Sequence, residues 1–485
     1  MDYRPVRQSG PGRPSVINET STKVEWRTLW RSGDLGLFCF VSMGILLHAT
    51  METMIATISP AMVRELSGVQ LVGWTFAIYE LGAIVAGAAA GRLVSYISLR
   101  HNMAGAAVIY GTGALICALA PSMPVLLGGR LIEGLGGGAL VSLAFVSVER
   151  LFPRAIWPQL FGIMSAVWGV AAFSGPLMGA LISTAFGWRW AFGAFTIAGF
   201  VMASVSYVVL RSPEARSVKR DGLPPPFPVL ALATLGAAVI FVALAGVEIR
   251  LAQSTLLLCL GIAGLWLFFR IDAWRPASRL FPSQPFDWST RVGSGMTMVA
   301  ALSVSTVSFS VYAPLLLTSL HDIPVLTTGY IIAAESIAWS ILSILVAGAG
   351  PRHERAIIIT GAFMITAGLV GFAIAIPAGH IPSILFCALL QGGGFGIAWP
   401  FVTRVIVASA RESESTIASS AVPTMQRIGY ATGAAAAGIV ANASGFSEGL
   451  SGATAEGVAR WLFLAFVPLA LVGCAAAVRM SRTAG

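Results

Sequence analysis

The chain has 485 residues, 56% of them hydrophobic and 11% charged, and a mean hydropathy of +0.82. A soluble globular chain carries roughly twice that charged fraction, so a soluble enzyme is excluded and an integral membrane protein is indicated. The net charge of +9 is spread along the chain rather than gathered in one patch, which excludes nucleic acid as a partner and points to a membrane orientation signal.

The segment Met1 to Asp34 is polar, with Arg4, Arg7, Arg13, Lys23, Arg27 and Arg31 but no short apolar core. It does not read as a cleavable signal peptide, and about its first twenty residues are expected to be disordered on the cytosolic face. A membrane span needs about 20 mostly apolar residues. Candidates lie near 35–58, 70–90, 103–120, 124–148, 158–183, 190–210, 228–248, 254–271, 291–317, 326–348, 356–377, 381–408, 415–441 and 458–479. The expected fold is therefore all-α and membrane-integral, with about fourteen transmembrane helices.

The first span contains HATMETMIATISP (48–60), which places Glu52 where a carboxylate is costly. Later spans carry Glu80, Glu133 and Glu335, and Glu248 stands at a helix end beside Arg250. The longest polar breaks, 211–227 and 272–290, bracket two helices without intramembrane charge. This organises the chain as a cytosolic segment (1–34), a six-helix half (35–211), a linker with an inserted helix pair (212–290) and a second six-helix half (291–485). With the N-terminus inside, Arg100, Arg150, Arg154, Arg211, Arg216, Lys219, Arg220, Arg270, Arg275, Arg279, Arg291, Arg352, Arg355, Arg411, Arg479 and Arg482 fall on the cytosolic side. The other side receives Arg64, Arg189, Arg250 and Arg460. That asymmetry predicts cytosolic termini, and an odd helix count would scramble it.

RLIEGLGGGAL (130–140) in the fourth helix is echoed by ALLQGGGFGIA (388–398) in the twelfth: Glu133 aligns with Gln391, and Gly134, Gly136 and Gly138 with Gly392, Gly394 and Gly396. Glycines so spaced clear one helical face for close approach. Two repeated halves around a midplane site are the plan of secondary transporters. The five cysteines lie in apolar runs without CxxC or Cys/His spacing, so they read as small buried hydrophobes; no metal site and no cofactor is expected.

In the fifth helix, WGVAAFSGPLMGALI (168–182) is followed by GWRWAF (187–192). Here the chain resembles the major facilitator superfamily, itself a standard example of that repeat plan, and within it the fourteen-helix drug:proton antiporters. Gly169, Gly175, Pro176 and Gly179 resemble the family's fifth-helix antiporter motif. Arg130, Gly134 and Gly136 resemble its fourth-helix arginine–glycine motif, METMIATISP (51–60) its first-helix motif, and QRIGYATG (426–433) the pattern before the last helix. The loop GRLVSYISLRHN (91–102) keeps Gly91, Leu93 and Arg100, but Ser95 and Tyr96 stand where the family has aspartate and arginine. The family's charge lock is expected to be weakened or rebuilt there.

Intramembrane charges cost at least about 2.5–3.5 kcal/mol each on insertion scales, so each is a functional candidate. Glu52 is the first choice for the coupled proton, because composition and the first-helix motif converge on it. Arg130 and Glu133, three residues apart, share a helix face. They form either a self-neutralising structural pair or a unit in which Arg130 tunes a proton-binding carboxylate and Glu133 shapes the substrate cavity. Glu80 and Glu335 are proton sites or buried neutral acids. Glu248 should simply reach the interface. Arg404 and Arg427 would counter an anionic substrate or pair with Glu335. The resemblance implies a proton-coupled transporter, a monomer in a bacterial-type inner membrane, exporting a small amphipathic compound by alternating access. Trp74, Tyr79, Trp168, Trp339 and Trp399 would contact that compound between the halves. The alternative is import of a nutrient or vitamin such as riboflavin, and a non-transporting receptor is a third class.

Overall fold

The computed structural model describes residues 35–152, 157–216, 226–346, 349–446 and 452–482; the expected disorder near the N-terminus lies outside them. Every span anticipated from hydropathy is helical, and the described residues contain no strand. In chain order the helices are α1 (Leu35–Glu65), α2 (Val72–Leu93), α3 (Leu99–Ala118), α4 (Met123–Leu151), α5 (Trp157–Phe186), α6 (Trp188–Val209) and α7 (Val229–Leu244). They continue with α8 (Leu251–Trp274), α9 (Arg291–His321), α10 (Val325–Val346), α11 (Pro351–Ala378), α12 (Ile381–Ser409) and α13 (Ser415–Ala443). The final span has two pieces, α14 (Gly452–Leu464) and α15 (Val467–Arg482). The break falls where Pro468 has no N–H to return to the preceding turn.

Among the described residues, 11 helices are long and apolar enough to cross a membrane unaided. The remaining three spans are α3, α7 and α13. The 16 residues of α7 reach only about 24 Å, and α3 and α13 carry polar side chains that their neighbours bury.

The repeat is visible in how the glycine stripes pack. A Cβ on Gly134 would strike the Tyr79 carbonyl of α2, one on Gly136 would strike Tyr110 of α3, and one on Gly138 would strike Ala83 of α2. In the second half, Gly392 and Gly396 abut Glu335 and Trp339 of α10 in the same way, and Gly394 abuts Gly361 and Ile365 of α11. Each stripe therefore lets a central helix approach two neighbours at backbone distance. Likewise Gly175 and Gly179 of α5 face Thr53 and Thr57 of α1, as Gly429 and Gly433 of α13 face Ser303 and Val304 of α9. The fold is two six-helix pseudo-repeats with an inserted pair.

That pair, α7 and α8, packs on itself through Gly261 and Gly264 against Ala238 and Val242. It touches the bundle mainly through α7, where Asn442 Nδ2 of α13 donates to the Gly246 carbonyl at 2.6 Å. Leu251, Leu256, Ile262 and Trp266 of α8 are exposed, as a peripheral helix facing lipid requires. In the last turn of α8, the buried Asp272 carboxylate accepts from the backbone of Leu280 (2.8 Å) and Phe281 (3.1 Å), ordering the loop that docks on Glu414 through Arg279 and Ser283. Cys117, Cys387 and Cys474 are buried as expected, whereas Cys39 and Cys259 lie on exposed helix faces; an apolar run has an outward face too.

Candidate functional site

The intramembrane polar groups converge where α1, α2, α4 and α13 meet. Arg427 of α13 donates from Nη1 to Glu80 Oε2 of α2 at 2.9 Å and from Nη2 toward His48 Nε2 of α1 at 3.0 Å. It thereby joins the second half to the first. Tyr79 Oη lies 2.7 Å from His48 Nδ1, with the two rings stacked at 5.4 Å. Glu52, one turn beyond His48 on α1, has Oε2 at 3.6 Å from His48 Nε2.

Small residues and local bonds hold these groups. Tyr110 Oη of α3 donates to the Leu47 carbonyl at 3.0 Å, fixing α1 one residue before His48. Gly137 of α4 backs the imidazole, since a Cβ there would lie 2.7 Å from His48 Nδ1. Arg130 is fully buried, bound to Glu133 Oε2 at 2.6 Å, donating to the Thr75 carbonyl at 3.2 Å, and stacked 4.0 Å over the Tyr79 ring. The structure thus contains the self-neutralising pair and also puts its cation against Tyr79, one residue from Glu80.

The other expectations separate. Glu335 accepts from Gln391 Nε2 at 2.8 Å, so its partner is an amide of the neighbouring helix, and neither arginine expected to pair with it does so. Arg427 reaches instead across the halves to Glu80, and Arg404 pairs at the bundle edge with Glu354 at 2.5 Å. Glu248 and Arg250 form an exposed pair at 3.1 Å, as expected of an interfacial end. The five aromatics do not form one surface. Tyr79 and Trp168 flank His48, Trp168 edge-on at 5.8 Å. Trp339 stacks on Phe395 at 4.8 Å, and Trp399 lies 5.8 Å from Trp339. Trp74 is half-buried on α2, five residues before Tyr79 and so turned well away from it.

The fifth-helix motif sits against the first-helix motif. A Cβ on Gly175 would land on Thr53 Oγ1, and one on Gly179 on Thr57 Oγ1. Thr53 Oγ1 donates to the Ala171 carbonyl at 3.0 Å, beside the interruption that Pro176 imposes on α5. Pro176 also packs on Gly329 of α10, Phe173 lies 5.7 Å from Tyr330, and Gly169 is near Ser340. The motif therefore lies at the contact between halves. Further contacts between halves, Asn442 Nδ2 to the Gln70 carbonyl at 3.1 Å and Gly73 on Ala434 and Tyr312, lie at the end of the bundle that carries the α1–α2 turn. In the 91–102 loop, Arg150 donates to the Val94 carbonyl at 3.4 Å, and Arg100 stacks 4.6 Å over Tyr207.

Sequence reasoning did not single out His48, although it opens the quoted 48–60 stretch. The available signal was its i, i+4 spacing from Glu52, which puts both on one face.

A sequence model of the Major Facilitator Superfamily matches residues 41–378. A probable multidrug-efflux transporter of Mycobacterium tuberculosis is 29% identical over 474 residues, covering 94% of this chain and 97% of its own length. A multidrug efflux pump of Staphylococcus aureus is 22% identical over 362 residues, covering 73% of this chain and 77% of its own. Among solved structures, an inward-facing bacterial homologue of the human lysosomal transporter Spinster superposes with a TM-score of 0.64 at 14% identity, covering 93% of this chain and 97% of its own. A D-xylose-proton symporter superposes with a TM-score of 0.62 at 17% identity, covering 92% and 97%. With two helical pseudo-repeats meeting at a buried polar cluster, this multi-pass membrane protein is a transporter rather than an enzyme, and the chain belongs to the Major Facilitator Superfamily.

Proposed function

We propose that the protein exports small amphipathic compounds in exchange for protons. The observation that carries this reading is Arg427 bound across the two halves to Glu80 and His48, with Glu52 3.6 Å from His48. An acid pair at the joint lets protonation change how strongly the halves hold each other. The efflux names of the relatives support export over the alternative, import of a nutrient or vitamin. If Arg- and Lys-rich ends are cytosolic, the α1–α2 end is external, and halves joined there describe an inward-open state of a monomer in the inner membrane. The proposed units remain 35–211, 212–290 and 291–485. The aromatic groups around Trp168 and around Trp339 and Trp399, one in each half, would hold the apolar part of the substrate, with Trp74 peripheral. Glu335 would be a secondary acid beside the second group.

The test is Glu52→Gln in proteoliposomes, read as proton flux on substrate addition beside equilibrium binding. The amide keeps size and hydrogen-bonding capacity but carries no titratable proton. Transport driven by a pH gradient should be abolished while binding persists, and Glu52→Asp should retain partial coupling. Wild-type flux in the Gln variant would make Glu52 structural.

A further inference from the structure

We infer that His48 is the positioning residue that converts a proton at the acid pair into a weaker hold on Arg427, and so of one half on the other; this rests on the proton-coupled reading above. The geometry assigns the imidazole's protons. A guanidinium only donates, so His48 Nε2, 3.0 Å from Arg427 Nη2, must present a lone pair. The ring proton is then on Nδ1 and is donated to Tyr79 Oη at 2.7 Å. The neutral ring thus serves as an acceptor toward the second half, and Gly137 leaves room for the Nδ1–Tyr79 contact behind it.

The same Nε2 edge faces a second group. Glu52 Oε2 is 3.6 Å away and buried, with no hydrogen-bond partner among the described residues. When a proton moves from the Glu52 carboxyl to Nε2, the O–H bond breaks, an N–H bond forms, and the lone pair that held Arg427 is consumed. The imidazolium then donates to the Glu52 carboxylate and repels the guanidinium. One proton therefore turns His48 from an acceptor toward the second half into a donor within its own. The groups facing His48 are Glu52 on α1, Tyr79 and Glu80 on α2, Arg130 on α4, the uncharged Trp168 edge on α5 and Arg427 on α13. Of these, Glu52 is the carboxylate beside Nε2, and Glu80 remains bound to Arg427 Nη1.

The experiment uses His48→Gln, whose amide oxygen can accept from Arg427 but cannot take a proton. Spin labels at Ser67 and Leu326, near the α1–α2 end of each half, report the separation of the halves in nanodiscs. The wild type should change its open-to-closed ratio by about 5–150-fold between about pH 5 and about pH 8, and the variant by less than about 3-fold. Substrate binding should persist in the variant and substrate-linked proton flux should fall. A wild-type pH response in His48→Gln overturns the inference and leaves coupling to Glu52 and Glu80 alone. Loss of the response in the variant, with no proton flux in the wild type, overturns coupled export while the His48 switch stands. Should the variant fail to fold, nitrogen-15 NMR of a protein whose other histidines are glutamine decides: an Nδ1–H tautomer at high pH supports the assignment, and an Nε2–H tautomer refutes it.

Discussion

At the scale of single residues, Arg427 and Glu80 form a pair whose partners are expensive to separate. Removing one member of a buried pair costs about 3–5 kcal/mol, because the survivor keeps its desolvation penalty without compensation. Arg427→Met should therefore lower the melting temperature of the detergent-solubilised protein and impair transport. Pairing it with Glu80→Gln removes the stranded charge and should restore most of the thermal stability while transport stays impaired. Equal melting temperatures for the single and double variants would show that Glu80 does not depend on Arg427. From the sequence, Arg427 is legible as a costly intramembrane cation, but its partner is not. The bond joins residues 347 positions apart, and hydropathy carries no record of which helices meet.

At the scale of helices, the glycines of α4, α5 and α12 are where backbones approach too closely for a side chain. Gly175→Val puts a branched side chain into Thr53 and the Thr50 carbonyl, at the joint between α1 and α5. The variant should reach the membrane, and its transport should fall below about a tenth of wild type, since the displaced helix meets α10 through Pro176. Full transport at normal expression would remove the motif from the mechanism. The pseudo-repeat makes a paired forecast. Gly134→Ala and Gly392→Ala each drive a methyl into a backbone carbonyl, of Tyr79 and of Glu335. Each should destabilise by about 1–3 kcal/mol, the usual range for overpacking. A clear loss in one half only would mean that the two stripes are not structurally equivalent.

At the scale of the whole molecule, the proposed topology of fourteen spans puts both termini and the loops around the inserted pair on the cytosolic side. A single cysteine at Gln284, exposed beside Ser283, which is bound to Glu414, should resist an impermeant thiol reagent in intact cells and react after permeabilisation. The same holds for Ser217, which lies outside the described residues. Cysteine at His380, on the turn between α11 and α12, should label in intact cells. The reverse pattern would invert the membrane orientation. Asn442, which donates to both the α1–α2 turn and the Gly246 carbonyl, links the halves and the inserted pair at that end. Asn442→Ala should speed proteolysis at the α1–α2 turn without altering binding.

Local composition by itself determined the solvent, the spans and their number, because lipid demands long apolar helices that satisfy their own backbone. It also determined the close-packing faces, because a glycine stripe is written in one helix. The Arg130–Glu133 pair was legible for the same reason, its members lying one turn apart. What only the tertiary structure decided is which charges meet. Glu335 found an amide rather than an arginine, Arg404 an acid at the bundle edge, and Arg427 a histidine and a carboxylate in the opposite half. The aromatics likewise separated into two groups when the halves folded. Those choices depend on helix rotation and on which neighbour is adjacent, and both are fixed by close packing between helices distant in sequence.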